Sequence, residues 1–426
     1  MSTKPRSPLG IIFLTIFVSM VGFGIVIPVL PVYAKSAPFH MSPHGVFGLG
    51  SLTGIFSLLQ FFFAPLIGKI SDRVGRKPVL LVSILGTAIG YFITGAANAT
   101  WMLFAGRIID GISGGNISTA QACIADVTSP KERSKAMGVI GAAFGLGFIL
   151  GPALGGLLSH WGVGVPFYFA AGLSLVNALM VIKRLPETLS EEARIHPAQR
   201  ASMGEVFAGN RGAFIGILLV TSLIFTTGFA SIHVLFSLFC TDRFNWTVRS
   251  TSMAFAYVGF IAVLVQGGLI RRLLKYPIEK EITVAGCAIL AVSLFLLPRT
   301  ETVTGFLGVS ALLALGNGLA TPTITGMASR HVHGRAQGRV LGMMAAAGSL
   351  GRFLGPALAT LPLPQNFSEL QRPLQGDALA AVNHGYLTAF SVAAGLVVIA
   401  TICSLILRVP KEDLPVEGEE AAVPAL

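Results

Sequence analysis

The stretch Gly138–Gly156, GVIGAAFGLGFILGPALGG, decides what kind of chain this is. It carries no charge and is long enough, as a helix, to cross a hydrocarbon core. Glycine recurs at 147, 151 and 155, a four-residue step that lines one helix face. Without a Cβ, that face admits the backbone of another helix. Pro152 has no N–H to offer the carbonyl of Phe148, so a bend is expected there. In water each helical glycine would cost about 1 kcal/mol against alanine. In lipid the backbone has no other partners, so the helix persists and its glycines shape the packing.

Composition extends this reading to the whole chain. Of 426 residues 53% are apolar and only 12% charged, with mean hydropathy +0.75. At about twenty residues per span this length accommodates roughly a dozen transmembrane helices. The apolar pattern places them near 9–31, 46–67, 79–97, 101–122, 136–158, 164–183, 213–239, 250–270, 281–298, 303–326, 338–360 and 385–408. The first is too long for the apolar core of a cleavable leader and runs into Pro28 and Pro31.

The net charge of +11 would suit a nucleic-acid binder, but its placement argues otherwise. With the N-terminus inside, 23 of the 30 Lys and Arg fall on inner segments and 5 on outer loops, with Arg107 and Arg352 inside spans. That asymmetry sets orientation in a bilayer, and no nucleic-acid partner is expected. Trp101, Trp161 and Trp246 all fall on the outer side, as an interfacial aromatic belt requires. Both termini are therefore expected to be inside. The four cysteines sit in or beside spans without a CxxC pair and read as small apolar residues.

The spacing of Gly138, Gly147, Gly151-Pro152 and Gly155-Gly156 resembles the antiporter motif of the major facilitator superfamily drug:proton exporters. The alternative for this stretch is a packing helix with no coupling role. A second resemblance lies in Gly68-Lys-Ile-Ser-Asp72-Arg73-Val-Gly75-Arg76-Lys77-Pro78, which looks like the superfamily's signature loop. The resemblance implies a contact of Asp72 with the helix dipole beneath the eleventh span, and a relay from Arg76 to Asp126. Together with Gly68, Arg73 and Gly75 these residues form an expected conformational switch. The first span, Gly22 to Pro31, resembles the tetracycline-type exporters, except that Ser19 stands where that family commonly has an acid. Arg184-Leu-Pro-Glu-Thr-Leu189, closing the sixth span, is a further likeness.

In the fourth span Arg107 and Asp110 lie three apart and share a helix face. Charges at that depth face a cavity or a partner. The family's fourth-helix arginine is proposed for proton handling, and Asp110 reads as the only carboxylate well inside a span. Two roles stay open for the pair, proton coupling and a static ion pair. His233, expected towards the outer end of the seventh span, is the other coupling candidate. Gln60, Asn116, Gln121, Gln266, Asn317 and Arg352 are candidates for lining a cavity, or for hydrogen bonds between helices.

An internal repeat organises these spans. Leu146-Gly-Phe-Ile-Leu-Gly-Pro-Ala-Leu154 recurs as Leu350-Gly-Arg-Phe-Leu-Gly-Pro-Ala-Leu358, identical at seven of nine places and offset by 204 residues. That offset is close to half the chain and implies an all-α membrane protein of twelve helices in two six-helix halves. The halves are expected at 1–183 and 213–408, with a cytoplasmic connector at 184–212 and a tail at 409–426.

The resemblance implies proton-coupled efflux of a small amphipathic compound by alternating access, in a bacterial inner membrane. The expected partners are substrate, protons and the bilayer, with the chain a monomer. The competing expectations are a carrier for a metabolite, sugar or anionic lipid-like substrate, and a non-transporting receptor. No nucleotide loop, metal-ligand cluster or nucleophile–base arrangement is present, so neither cofactor nor enzyme chemistry is expected.

Overall fold

Apolar runs of this length can satisfy their backbone in lipid only as helices or closed barrels, and here they form helices. The computed structural model describes residues 9–36, 38–43, 45–46, 48–128, 130–191, 207, 209–276, 278–330, 337–364 and 376–408. Side chains are described over the same residues except 130–142, 144, 209–211, 329–330 and 337–338. The expected tail and most of the connector lie outside these residues.

The first three spans are α1 (Leu9–Lys35), α2 (Leu49–Val74) and α3 (Arg76–Gly95). The fourth is split into α4 (Thr100–Ile112) and α5 (Asn116–Val127); α6 (Pro130–Leu158) and α7 (Val165–Arg184) complete the first half. The seventh is split into α8 (Gly209–Ala230) and α9 (Ile232–Phe244). The eighth runs from α10 (Val248–Leu264) through a π turn at Val265–Leu269 into α11 (Ile270–Leu273). The last four are α12 (Glu279–Leu296), α13 (Val303–Arg330), α14 (Gln337–Ala359) and α15 (Gly376–Ile406). Nine helical stretches among the described residues are long and apolar enough by themselves to cross a bilayer. The split fourth span, α6 and α14 bring the total to the expected twelve.

Several expected boundaries move. The polar residues Lys69, Asp72 and Arg73 do not form a loop: α2 continues through them to Val74. The turn shrinks to Gly75, whose φ of 119° is open to glycine and strained for other residues. The seventh span runs on to Phe244, beyond the expected end at 239, so His233 sits well inside it rather than near its outer end. The last span starts at Gly376, nine residues early.

The two halves share one plan. α1 packs on α6 as α8 packs on α14, and α3 packs on α7 as α12 packs on α15. The glycine face carries the first of these contacts. A Cβ at Gly151 would lie 2.7 Å from the Cα of Gly24 and from the Val21 carbonyl, and one at Gly155 would lie 3.3 Å from the Ile25 carbonyl. In the second copy, a Cβ at Gly351 would lie 3.0 Å from the Leu223 carbonyl, and one at Gly355 would lie 2.5 Å from the Thr227 carbonyl. The repeat therefore preserves a backbone-to-backbone contact in each half. Gly156 faces the other half, with its Cβ position 2.5 Å from the Ser252 Cβ on α10. Gly138 lies outside the described side chains.

Contacts between halves run through α2 with α14, α6 with α10, and α1 with α9. At the end that the charge pattern assigns to the outside they are tight. A Cβ at Gly50 would lie 2.6 Å from the Pro356 carbonyl, and one at Gly54 would lie 2.8 Å from the Phe353 carbonyl. Towards the other end, the Cβ positions of Gly68 on α2 and Gly342 on α14 meet nothing within 4 Å among the described residues.

Candidate functional site

Three clusters of polar residues lie along the bundle. The deepest is on α4. Arg107 donates from Nη1 to Asp110 Oδ2 at 2.8 Å, with side-chain exposures of 3% and 4%. The guanidinium also lies 4.6 Å from the centre of the Phe56 ring on α2, a cation–π contact. Its Nε is buried and has no hydrogen-bond partner among the described residues. Behind the pair, Gly90 on α3 would place a Cβ 2.9 Å from the Asp110 Cβ, so the missing side chain lets α3 close over it.

Arg107 and His233 line one small cavity between the halves, of ≈ 20 Å³, with Phe23, Thr53, Ser57 and apolar residues of α1. That is room for about one water. His233 meets the edges of Phe23 and Phe229 at ring separations of 6.2 and 6.1 Å. On the neighbouring turn, Gln60 ties three elements together. Its amide donates to the Gly114 carbonyl at 3.0 Å, at the break between α4 and α5, and its Oε1 accepts from Ser349 and Arg352 at 3.4 Å. Asn116 donates to Ser19 Oγ at 3.0 Å, so the hydroxyl at the family's usual acid position is held by the fourth span. Gln121 and Gln266 are exposed, and Asn317 accepts from Thr321 one turn along its own helix. The structure thus joins Gln60 to Arg352 but does not gather the six polar candidates into one lining.

The second cluster lies at the end of the first half that the charge pattern assigns to the inside. Arg76 donates to Asp126 at 2.9 Å, to Asp72 at 2.5 Å and to Ser71 at 2.8 Å. Glu187, four residues beyond Lys183, reaches back to the start of α3 and accepts from the backbone N–H of Arg76 at 2.8 Å and of Lys77 at 3.2 Å. It also accepts from Thr188 and Leu189. Burial raises its carboxyl pKa, but these backbone donors outweigh that and hold it below the ordinary range. A carboxylate on a helix N-terminus is favourable for the same reason any anion is. Arg73 is exposed. At the start of the eleventh span, where the contact of Asp72 is expected, side chains are described only from residue 339 on.

The third cluster was not foreseen. At the outer end Lys35 of α1 donates to Asp242 Oδ1 of α9 at 2.7 Å, and Tyr386 of α15 donates to Oδ2 at 2.6 Å. The lysine and aspartate side chains are 9% and 2% exposed. Asp242 is thus a second buried carboxylate, at the end of a span rather than well inside it. By position Lys35 is one of the five outer-loop charges, and the structure instead buries it against Asp242. Trp101 and Trp161 are exposed as a belt requires, whereas Trp246 packs on Phe244 and Phe306.

Comparison with known proteins fits this architecture. The family model for the Major Facilitator Superfamily matches residues 12–356. The class C tetracycline resistance protein of Escherichia coli is 33% identical over 358 residues, 84% of this chain and 90% of that protein. Multidrug resistance protein 2 of Bacillus subtilis (strain 168) is 31% identical over 367 residues, 84% of this chain and 89% of its own. Among solved structures, a bacterial homolog of the human lysosomal transporter Spinster superposes with a TM-score of 0.76 at 16% identity, covering 95% of this chain and 98% of its own. The human organic anion transporter MFSD10 (TETRAN) gives 0.69 at 23% identity, covering 95% of this chain and all of its own. With a family model spanning most of its length, relatives among the tetracycline and multidrug resistance proteins, and twelve spanning helices in two repeated halves, the chain belongs to the major facilitator superfamily of membrane transporters.

Proposed function

We propose that the protein exports small amphipathic compounds in exchange for protons, by alternating access. The observation that carries this reading is the Arg107–Asp110 pair beside a cavity between the halves. Coupling requires a group that changes charge within the membrane during the cycle. A buried carboxylate with an arginine one turn away can do so: paired, it favours the ionised form; separated in a drier site, it favours the protonated form. The pair borders the space that a substrate would occupy, so one rearrangement can act on both.

The cavity holds about one water, too little for a drug-sized molecule, so substrate entry requires the halves to part. Tight contacts at the outer end suit a molecule closed outside. The tetracycline and multidrug resistance relatives favour export over uptake.

Reconstitution tests the reading. In proteoliposomes with an imposed pH gradient, a panel of amphipathic compounds should include some that accumulate against their own gradient, with collapse on adding a protonophore. Accumulation that is indifferent to the protonophore would overturn it.

A further inference from the structure

The repeat breaks where the two halves meet. Phe148 in the first copy corresponds to Arg352 in the second, at an offset of 204 residues. On the first-half side, Phe148 stands edge-on to Phe23 at 5.9 Å, and Phe23 in turn stands edge-on to His233. On the second-half side, Arg352 donates to Ser349 at 2.8 Å and to Gln60 at 3.4 Å, both neutral. Gln60 lies one turn from Ser57, which lines the same cavity as Phe23 and His233. The same interface is therefore aromatic on one wall and cationic on the other.

The charges do not cancel. Arg107 is matched by Asp110, while Arg352 forms no ion pair among the described residues. Among the described residues, Arg352 thus stands as an unmatched positive charge midway along α14, inside a membrane span. An unmatched charge at such depth is costly, and membrane proteins keep one chiefly where it serves a pathway or a ligand. A lysine would supply a point charge. The guanidinium fork instead fits a planar anion in two parallel hydrogen bonds. The long bond to Gln60 is weak enough to be exchanged for such a ligand.

We propose that Arg352 binds the anionic group of an amphipathic substrate whose apolar body lies against Phe23 and Phe148. The substrate class is then a monoanion, such as a carboxylate or sulfonate, on a flat hydrophobic frame. This rests on the transport reading for taking the space between the halves as the substrate's path.

The test uses the purified full chain in nanodiscs, with no gradient imposed. Equilibrium binding is measured for 2-naphthoate, 2-naphthamide and 2-naphthylmethylammonium, which share a body and differ in charge. The wild type should bind naphthoate about tenfold or more tighter than the amide, with the ammonium weakest. Arg352→Gln should bring naphthoate down to the level of the amide and leave the amide unchanged, while Arg352→Lys keeps part of the preference. Equal affinities in the wild type, a preference for the ammonium, or no naphthoate binding would each overturn the inference. The wild-type comparison decides even if the glutamine variant fails to fold. Anion-selective binding alongside gradient-independent transport would sink proton-coupled export alone.

Discussion

Gly151 shows most plainly what a single residue does in this protein. Any side chain there would occupy space already held by the Gly24 Cα and the Val21 carbonyl, both 2.7 Å from its Cβ position. Overpacking of this kind typically costs about 1–3 kcal/mol. Gly151→Leu should therefore lower the melting temperature and abolish transport. Gly395→Leu, where a Cβ meets nothing within 4 Å, should leave both near wild type. Equal tolerance at the two positions would show that the close approach is dispensable. Glu187 gives a second single-residue expectation, this one in pH. Its folded pKa is depressed, so the ionised carboxylate stabilises the fold above its unfolded pKa, near 4.3, and that contribution fades as pH falls through the folded value. Glu187→Gln should melt below wild type at neutral pH, by the order of a lost helix cap, about 0.5–2 kcal/mol. The difference should close as pH falls from the unfolded pKa through the depressed folded one. A difference that persists unchanged into acid would mean the charge is not what matters.

Among elements, the outer junction of α1, α9 and α15 is held by one buried carboxylate with two donors. Removing one partner of a buried pair leaves the other desolvated and unmatched, at a cost of about 3–5 kcal/mol. Because Lys35 and Asp242 belong to different halves, that cost falls on the state in which the outer ends meet. Asp242→Asn should shift the population towards outer opening. Spin labels at Val46 and Leu361, both well exposed near that end, should then report longer distances. Unchanged distances would make the junction incidental to closure. This junction also marks where sequence reading stops. Arg107 and Asp110 could be paired by eye because they lie three apart on one helix. Lys35 and Asp242 are separated by 207 positions, and Glu187 reaches back 111 to cap α3, so only the packed bundle brings them together. Asp72 and Arg73 differ again: their charge suggests a loop, but the helix runs through them because Asp72 is held by Arg76 and Arg73 reaches water.

At the scale of the whole molecule, the glycine spacing and the 204-residue repeat were enough to set out two halves, because backbone approach in lipid leaves few substitutes for glycine. What the repeat could not convey was its asymmetry in use. The first half holds the Arg107–Asp110 pair and the Arg76 cluster, while the second contributes Arg352 and His233 to the interface. In the proposed cycle the halves rock about that interface, and the charge state of Asp110 decides which way they rest. The most direct measurement is proton flux per substrate transported, made in proteoliposomes with wild type, Asp110→Asn and His233→Gln. A fixed ratio is expected in the wild type and in His233→Gln. In Asp110→Asn both proton flux and gradient-driven accumulation should be lost, with substrate counterflow intact. An unchanged ratio in Asp110→Asn would contradict this coupling role and leave Asp110 as a structural partner of Arg107.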